Sequence, residues 1–234
     1  MKSLFRNKKM ADLPTPRALL FDWDGTLADS AAVIKHCYDA ATTAVGFPPI
    51  SMEDVRFKQT RSGRDTFPAL FGDQWPVARE AYYKAFKDMH LTHIAPLQGC
   101  EDMLRRLRSS GVFMAVVSNK TGPYLRDEVA QFGWSSFFDA IVGAGDALRD
   151  KPDRAPLDYA LLGTDIVCAP DVWMIGDSTT DMLAARHAGV TGLLLRDVPP
   201  KEKEFDDCAP NLYVSCADDL TQLLESLGLM QKLG

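Results

Sequence analysis

Short apolar runs and segments of helical period alternate along most of this chain. Ala18-Leu19-Leu20-Phe21 is continuous and of strand length, the pattern of a strand buried on both faces. From Cys100 onward the alternation is sustained. The spacing predicts a helix over Cys100–Ser109, ended by Gly111, a buried strand over Val112–Val117, a helix over Gly122–Phe132 and a strand near Phe138–Val142. A helix near Ala155–Leu162, a strand over Val172–Ile175, a helix over Thr180–Ala188 and a strand over Val190–Leu195 come next. Leu212–Val214 and a helix over Ala217–Leu227 close the series. Strand–helix alternation of this kind predicts an α/β fold built on a parallel sheet with helices on both faces.

One stretch breaks the rhythm. From Asp29 to His93 the period is helical, no strand pattern stands out, and Pro48-Pro49, Gly63 and Gly72 punctuate the run. Its aromatics (Phe57, Phe67, Phe71, Trp75, Tyr82, Tyr83, Phe86) read as the core of a small helical unit and not as a ligand box. The stretch is too long for an ordinary strand-to-helix connection. It is expected to be an inserted all-helical cap over 29–93, leaving a core of 17–28 and 94–234 and a flexible tail over 1–16. Ligands of open parallel sheets bind at the carboxyl ends of the strands. An insertion leaving from that end would cover the site.

Composition narrows the classes. The 234 residues are 46% hydrophobic and 25% charged, the balance of a globular protein, and the net charge of −6 lacks the basic footprint of a nucleic-acid binder. No apolar run approaches the roughly 20 residues of a membrane span. The basic N-terminus lacks the apolar stretch of a secretory signal. Cys37, Cys100, Cys168, Cys208 and Cys216 are odd in number and form no Cys-x-x-Cys pair, which suits reduced thiols and a cytoplasmic location. His90 and His93 have helical spacing but no ligand pattern around them, and are expected at the surface or in the cap.

The chemistry gathers where the predicted strands end. The first strand runs into Asp22-Trp23-Asp24-Gly25-Thr26, the second main strand into Ser118-Asn119-Lys120, and the Val172–Ile175 strand into Gly176-Asp177-Ser178-Thr179-Thr180-Asp181. Lys151 sits between them in a proline-stiffened loop. If the extended geometry persists through Asp24, Asp22 and Asp24 share one side of the strand end. A carboxylate pair held there needs a cation, a shared proton or a catalytic use. Taken singly, each feature has a plain alternative: solvated turn aspartates, Ser118 as a helix cap, Lys151 at the surface, Asp177 and Asp181 as a capping pair. Their joint order after successive apolar strands is what sets them apart.

That order resembles the haloacid dehalogenase superfamily of phosphatases, in the subgroup with a helical cap inserted after the first motif. The motifs appear as Asp22-Trp23-Asp24-Gly25-Thr26-Leu27, Ser118, Lys151, and Gly176-Asp177 through Asp181. The Ser118-Asn119-Lys120, Lys151-Pro152-Asp153 and Ala188-Gly189-Val190 segments resemble the phosphoglycolate phosphatase branch. The resemblance implies a Rossmann-like core and a helical cap. It also implies Asp22 as nucleophile, Asp24 as acid and base, Ser118 and the Asn119 amide as donors to phosphoryl oxygens, and Lys151 as their counter-charge. Magnesium would be held by Asp22, the Asp24 carbonyl and Asp177, with Asp181 acting through water or by orienting Lys151.

Charge supports the metal. Two like charges ~4 Å apart cost about 4 kcal/mol even at an effective dielectric of about 20. Asp22, Asp24, Asp177, Asp181 and a dianionic phosphate face one lysine, so a hard divalent cation is required, and Mg2+ fits. Thr26 is expected to support Asp24 or to cap a turn. Trp23 is expected to pack away from the carboxylates. Arg61 and Arg64 beside Gly63 offer a reach toward a substrate carboxylate or second phosphate, or else a solvated loop. Asn119 and Lys120 are candidates for substrate contact, with solvent the alternative for Lys120. The expected activity is Mg2+-dependent hydrolysis of a small phosphomonoester, 2-phosphoglycolate first among candidates, by a monomer or homodimer. The rivals are a phosphomutase of the β-phosphoglucomutase type and a non-catalytic binding protein on the same fold.

Overall fold

A computed structural model describes residues 13–51 and 63–230, apart from the side chains of Arg64 and Asp65. Its core is a six-stranded parallel sheet. The strands are β1 (Ala18–Phe21), β4 (Phe113–Thr121), β5 (Ala140–Ala144), β6 (Val172–Gly176), β7 (Thr191–Leu195) and β8 (Leu212–Val214). Their spatial order is β5-β4-β1-β6-β7-β8. The order reverses at β1, so the carboxyl ends of β1, β4 and β6 surround the crevice where such sheets bind ligands.

The continuous apolar character of β1 follows from its two covered faces. Leu19 and Phe21 point to one side, among residues of α4 (Cys100–Ser110), α5 (Gly122–Gln131) and α8 (Ala217–Ser226). Ala18 and Leu20 point to the other, among residues of α6 (Ala155–Ala160) and α7 (Thr179–Ala188). Each large apolar side chain buried this way contributes about 1.5–3 kcal/mol. Strand β4 runs past the apolar run to Thr121, and its register against β5 shifts between Val117 and Thr121. That irregularity carries Ser118, Asn119 and Lys120 to the crevice.

The inserted unit begins and ends in a feature the sequence pattern did not predict. Ala28–Asp29 (β2) and Ala95–Pro96 (β3) pair antiparallel, so the chain leaves and re-enters the core through one two-stranded ribbon. Two residues per strand, one of them proline, carry no readable period. Between them lie α1 (Ala31–Ala44), α2 (Gly63–Phe71) and α3 (Trp75–His93). The buried stripe of α1, which includes Ile34, Tyr38 and Ala41, packs with Phe67, Phe71 and Ala78. The fold is therefore a Rossmann-like α/β core with an inserted helical cap.

One expectation changes at an edge of the chain. Positions 1–12 of the expected tail lie outside the described residues, but Leu13 and Pro16 are already buried, Leu13 among the core residues of α4 and α8. Of the expected cap aromatics, Phe57 lies outside the described residues. All five cysteines are free. Among the described residues no helix is long and apolar enough to cross a membrane.

Candidate active site

The site begins with a turn. Strand β1 ends at Phe21, and the backbone N–H groups of Thr26, Leu27 and Ala28 all donate to the Trp23 carbonyl. The extended geometry thus stops short of Asp24, contrary to the simple expectation of a strand running through the pair. Gly25 permits the reversal: its φ is +77°, and a Cβ there would stand 2.4 Å from Asp177 Oδ2. Only glycine meets both demands. Asp22 and Asp24 nevertheless line one cleft at the carboxyl ends of β1, β4 and β6.

The same cleft is lined by Ser118, Asn119, Lys151, Asp177 and Asp181. Lys151 Nζ lies 3.0 Å from Asp22 Oδ1 and 2.6 Å from Asp181 Oδ1, with its side chain almost wholly buried. Burial disfavours the ammonium, but Asp181 and Asp22 together hold its pKa above the usual lysine value. Asp181 cannot serve freely as a ligand. Its second oxygen accepts from the Ser178 N–H (3.1 Å) and hydroxyl (2.6 Å) at the start of α7. Gly176 makes this possible, since a Cβ there would overlap the Asp181 carboxyl carbon at 2.2 Å.

Asp22, Asp177 and Asp181 each bring a carboxylate oxygen within 4.8 Å of the others. Burial, then Asp181, raises Asp22 from 3.8 to about 6, despite Lys151. Burial, Asp181 and Asp22 raise Asp177 well above the usual range. Carboxylates forced upward in this way mark a site short of positive charge. With Asp181 committed to Lys151 and Ser178, Asp177 and the Asp22 oxygen that does not face Lys151 are left to hold a hard divalent cation, and the residues fit Mg2+.

The remaining expectations divide. Asn119 lines the cleft but aims its side-chain amide at the Lys151 carbonyl (2.9 Å), and so bridges two of the motif loops. Ser118 Oγ accepts from the Lys120 N–H at 3.2 Å. Thr26 is buried, its hydroxyl has no hydrogen-bond partner among the described residues, and it is not part of the cleft wall. Arg61 lies outside the described residues, as does the Arg64 side chain; their neighbour Gly63 lines the cleft. The cap aromatics do two jobs: Tyr38, Phe67, Tyr82, Tyr83 and Phe86 pack the helical unit and also line the cleft, so the reading of them as core alone is incomplete.

Three residues make contacts that their sequence reading did not give them. Lys120 does not reach solvent: its ammonium lies 2.7 Å from Asp24 Oδ1 and 2.5 Å from Glu128 Oε2. His90 is buried, stacked on Phe86, with Nδ1 3.3 Å from Glu128 Oε1. Trp23 packs against Phe132 and Trp134 as expected, but its indole N–H donates to Glu128 Oε2 at 2.7 Å. Glu128 itself went unremarked in the sequence. The signal was there: with Leu125 and Val129 it occupies the buried stripe of α5, and His90 repeats the four-residue spacing of Tyr82 and Phe86.

The fold and this arrangement define an α/β protein of the doubly wound type with a cluster of carboxylates at the strand ends. The haloacid dehalogenase-like hydrolase family model matches residues 19–194, and the chain belongs to that family. It is similar to the phosphoglycolate phosphatase of Caulobacter vibrioides, with 34% identity over 76% of this chain and 78% of the relative. It is also similar to phosphoglycolate phosphatase 1 of Pseudomonas aeruginosa, with 27% identity over 89% of this chain and 82% of that one. The crystal structure of a predicted phosphatase from Clostridium acetobutylicum superposes with a TM-score of 0.80 and 21% identity, covering 91% of this chain and 100% of that chain, and supports the fold.

Proposed function

We propose that the protein is a Mg2+-dependent phosphomonoesterase that works through a phosphorylated Asp22. The observation that carries this is the meeting of Asp22, Asp24, Ser118, Lys151 and Asp177 in one cleft under a helical cap. Asp22 attacks phosphorus, forming an Asp22 Oδ–P bond as the ester P–O bond breaks. Asp24 gives its proton to the leaving alkoxide. It then takes a proton from the water that cleaves the acyl phosphate and frees inorganic phosphate. Ser118 and the Asn119 backbone N–H donate to the phosphoryl oxygens, and Lys151 balances their charge.

Asp22, Asp177 and the Asp24 carbonyl would hold the cation. When bound, it neutralises the charge of the carboxylates and phosphate together. Asp181 fixes Lys151 from behind. The segment between the core stretches 17–28 and 94–234 acts as the cap, over about 29–93.

For substrate, 2-phosphoglycolate leads, supported by the names of the relatives. Among the described residues the lysines lining the cleft are Lys120 and Lys151, and both are engaged by carboxylates. Arg61 or Arg64, the sequence neighbours of Gly63, would supply a cation for the substrate carboxylate. The protein is read as cytoplasmic and as a monomer or homodimer. The test is phosphate release from a panel of phosphomonoesters with Mg2+ and with a chelator. Mg2+-dependent release, highest for 2-phosphoglycolate, is expected; isomerisation of a sugar phosphate without release would make it a mutase, and no turnover of any member would make it a binding protein.

A further inference from the structure

The acid–base candidate Asp24 is held by a buried chain of groups that the mechanism above does not use. Lys120 Nζ bridges Asp24 Oδ1 and Glu128 Oε2. Glu128 is wholly buried and takes three donors or partners: the Lys120 ammonium and the Trp23 indole N–H on Oε2, and His90 on Oε1. The five groups come from four separate places: the turn after β1, the end of β4, helix α5 and the cap helix α3. Phe86, also on α3, lies under the ammonium, with Nζ 5.4 Å from its ring centroid.

Such an arrangement constrains geometry strongly. A lysine free in a cleft has a flexible four-carbon stem and would follow whichever anion is nearest. Here Glu128 fixes the ammonium from one side, so one of the lysine's three donors is turned toward Asp24 in a set direction. Glu128 cannot drift, because the indole and the imidazole hold it. Asp24 Oδ1 is thereby tethered, and one carboxylate oxygen is left for proton traffic with the leaving group.

We propose that Lys120 and Glu128 are positioning residues that hold Asp24 in line with the leaving oxygen, and that His90 makes this alignment depend on the seating of the cap. The proposal rests on the phosphatase reading above. A carboxylate that is present but misaligned fails as a proton donor before it fails in any other respect. The loss should therefore depend on how much the leaving group needs a proton.

The experiment compares an alkyl phosphomonoester, whose alkoxide must be protonated, with p-nitrophenyl phosphate, whose phenolate leaves without one. Alcohol release in the first turnover isolates the step in which Asp24 acts as acid. For Glu128→Gln, first-turnover release from the alkyl ester is expected to fall at least about tenfold more than release from p-nitrophenyl phosphate, within the range general acid catalysis supplies. Trp23→Phe removes only the N–H donor to Glu128 and keeps a ring against Phe132 and Trp134. It should show the same direction of bias and serves if Glu128→Gln does not fold. His90→Leu should show it too, which tests the link to the cap. Equal losses on the two esters, or no loss, would overturn the positioning role while leaving the phosphatase reading intact. If the unaltered protein released neither alcohol with Mg2+ present, both readings would fall together.

Discussion

Lys151 Nζ sits 2.6 Å from Asp181 Oδ1, and neither side chain has meaningful access to solvent. Asp181 in turn accepts from Ser178 on its other oxygen, so the carboxylate works as a fixed bracket between the lysine loop and the start of α7. Removing one partner of a buried ion pair leaves the other charge uncompensated, at about 3–5 kcal/mol. Because Lys151 keeps Asp22 at 3.0 Å, Asp181→Asn should lower stability by less than that in urea unfolding, and lower kcat as Lys151 loses its second anchor. Unchanged stability and turnover would show that the bracket does nothing.

Asp22→Asn should leave the fold intact and reduce turnover about a thousandfold or more, the scale on which loss of a nucleophile acts. Near-ultraviolet circular dichroism checks the fold, and acid-quenched labelling with a radioactive phosphomonoester checks the acyl phosphate. Substantial residual activity would reassign the nucleophile.

Stability should depend on pH and metal together. The folded-state pKa of Asp22, about 6, lies above its ordinary 3.8, and Asp177 is displaced the same way. A raised carboxyl favours the folded state at low pH. Without metal, that stability is lost as pH rises from about 4 through about 6, on the order of 3 kcal/mol for Asp22 alone. A divalent cation favours the ionised forms, so the gain in Tm on adding Mg2+ should be larger at about pH 7.5 than at about pH 4.5. A gain independent of pH would place the metal elsewhere.

Gly25→Ala tests the turn. The new methyl would meet Asp177 Oδ2 at 2.4 Å in a backbone with φ of +77°. The left-handed conformation alone costs roughly 1–2 kcal/mol, and the displaced Asp177 should raise the half-saturating Mg2+ concentration by about tenfold, a loss of about 1.4 kcal/mol in affinity. Activation curves against Mg2+ give the answer; an unchanged curve would remove Asp177 from the ligand set.

Arg61→Ala and Arg64→Ala should raise KM for a carboxylated substrate with little change in kcat, because the cleft lysines Lys120 and Lys151 are already taken. Unaltered kinetics with both variants would return the pair to the protein surface.

The core was legible because its strands are buried on both faces, and a continuous apolar run as short as Ala18–Phe21 suits a strand covered on two sides better than a helix. The motif residues were legible because each stands just beyond such a run. The ribbon of Ala28–Asp29 and Ala95–Pro96 was not, since a strand of two residues leaves no periodicity. Neither was the Asp24–Lys120–Glu128–His90 chain. Its members lie far apart in sequence, and a charge at Glu128 on the inner stripe of a helix looks like noise until Leu125 and Val129 are seen beside it. The place of Thr26 was not legible either: the turn folds its side chain inward, where the hydroxyl has no hydrogen-bond partner among the described residues.

The ribbon has a bearing on ancestry as well as on architecture. Because Asp29 and Ala95 are paired partners, the helical unit hangs from two adjacent points, and the sheet on either side of them is continuous without it. A lineage could enlarge, shrink or replace everything between those points without re-threading a single core strand. The core strands and the inserted unit are thus free to diverge at different rates, except where His90 ties α3 to Glu128.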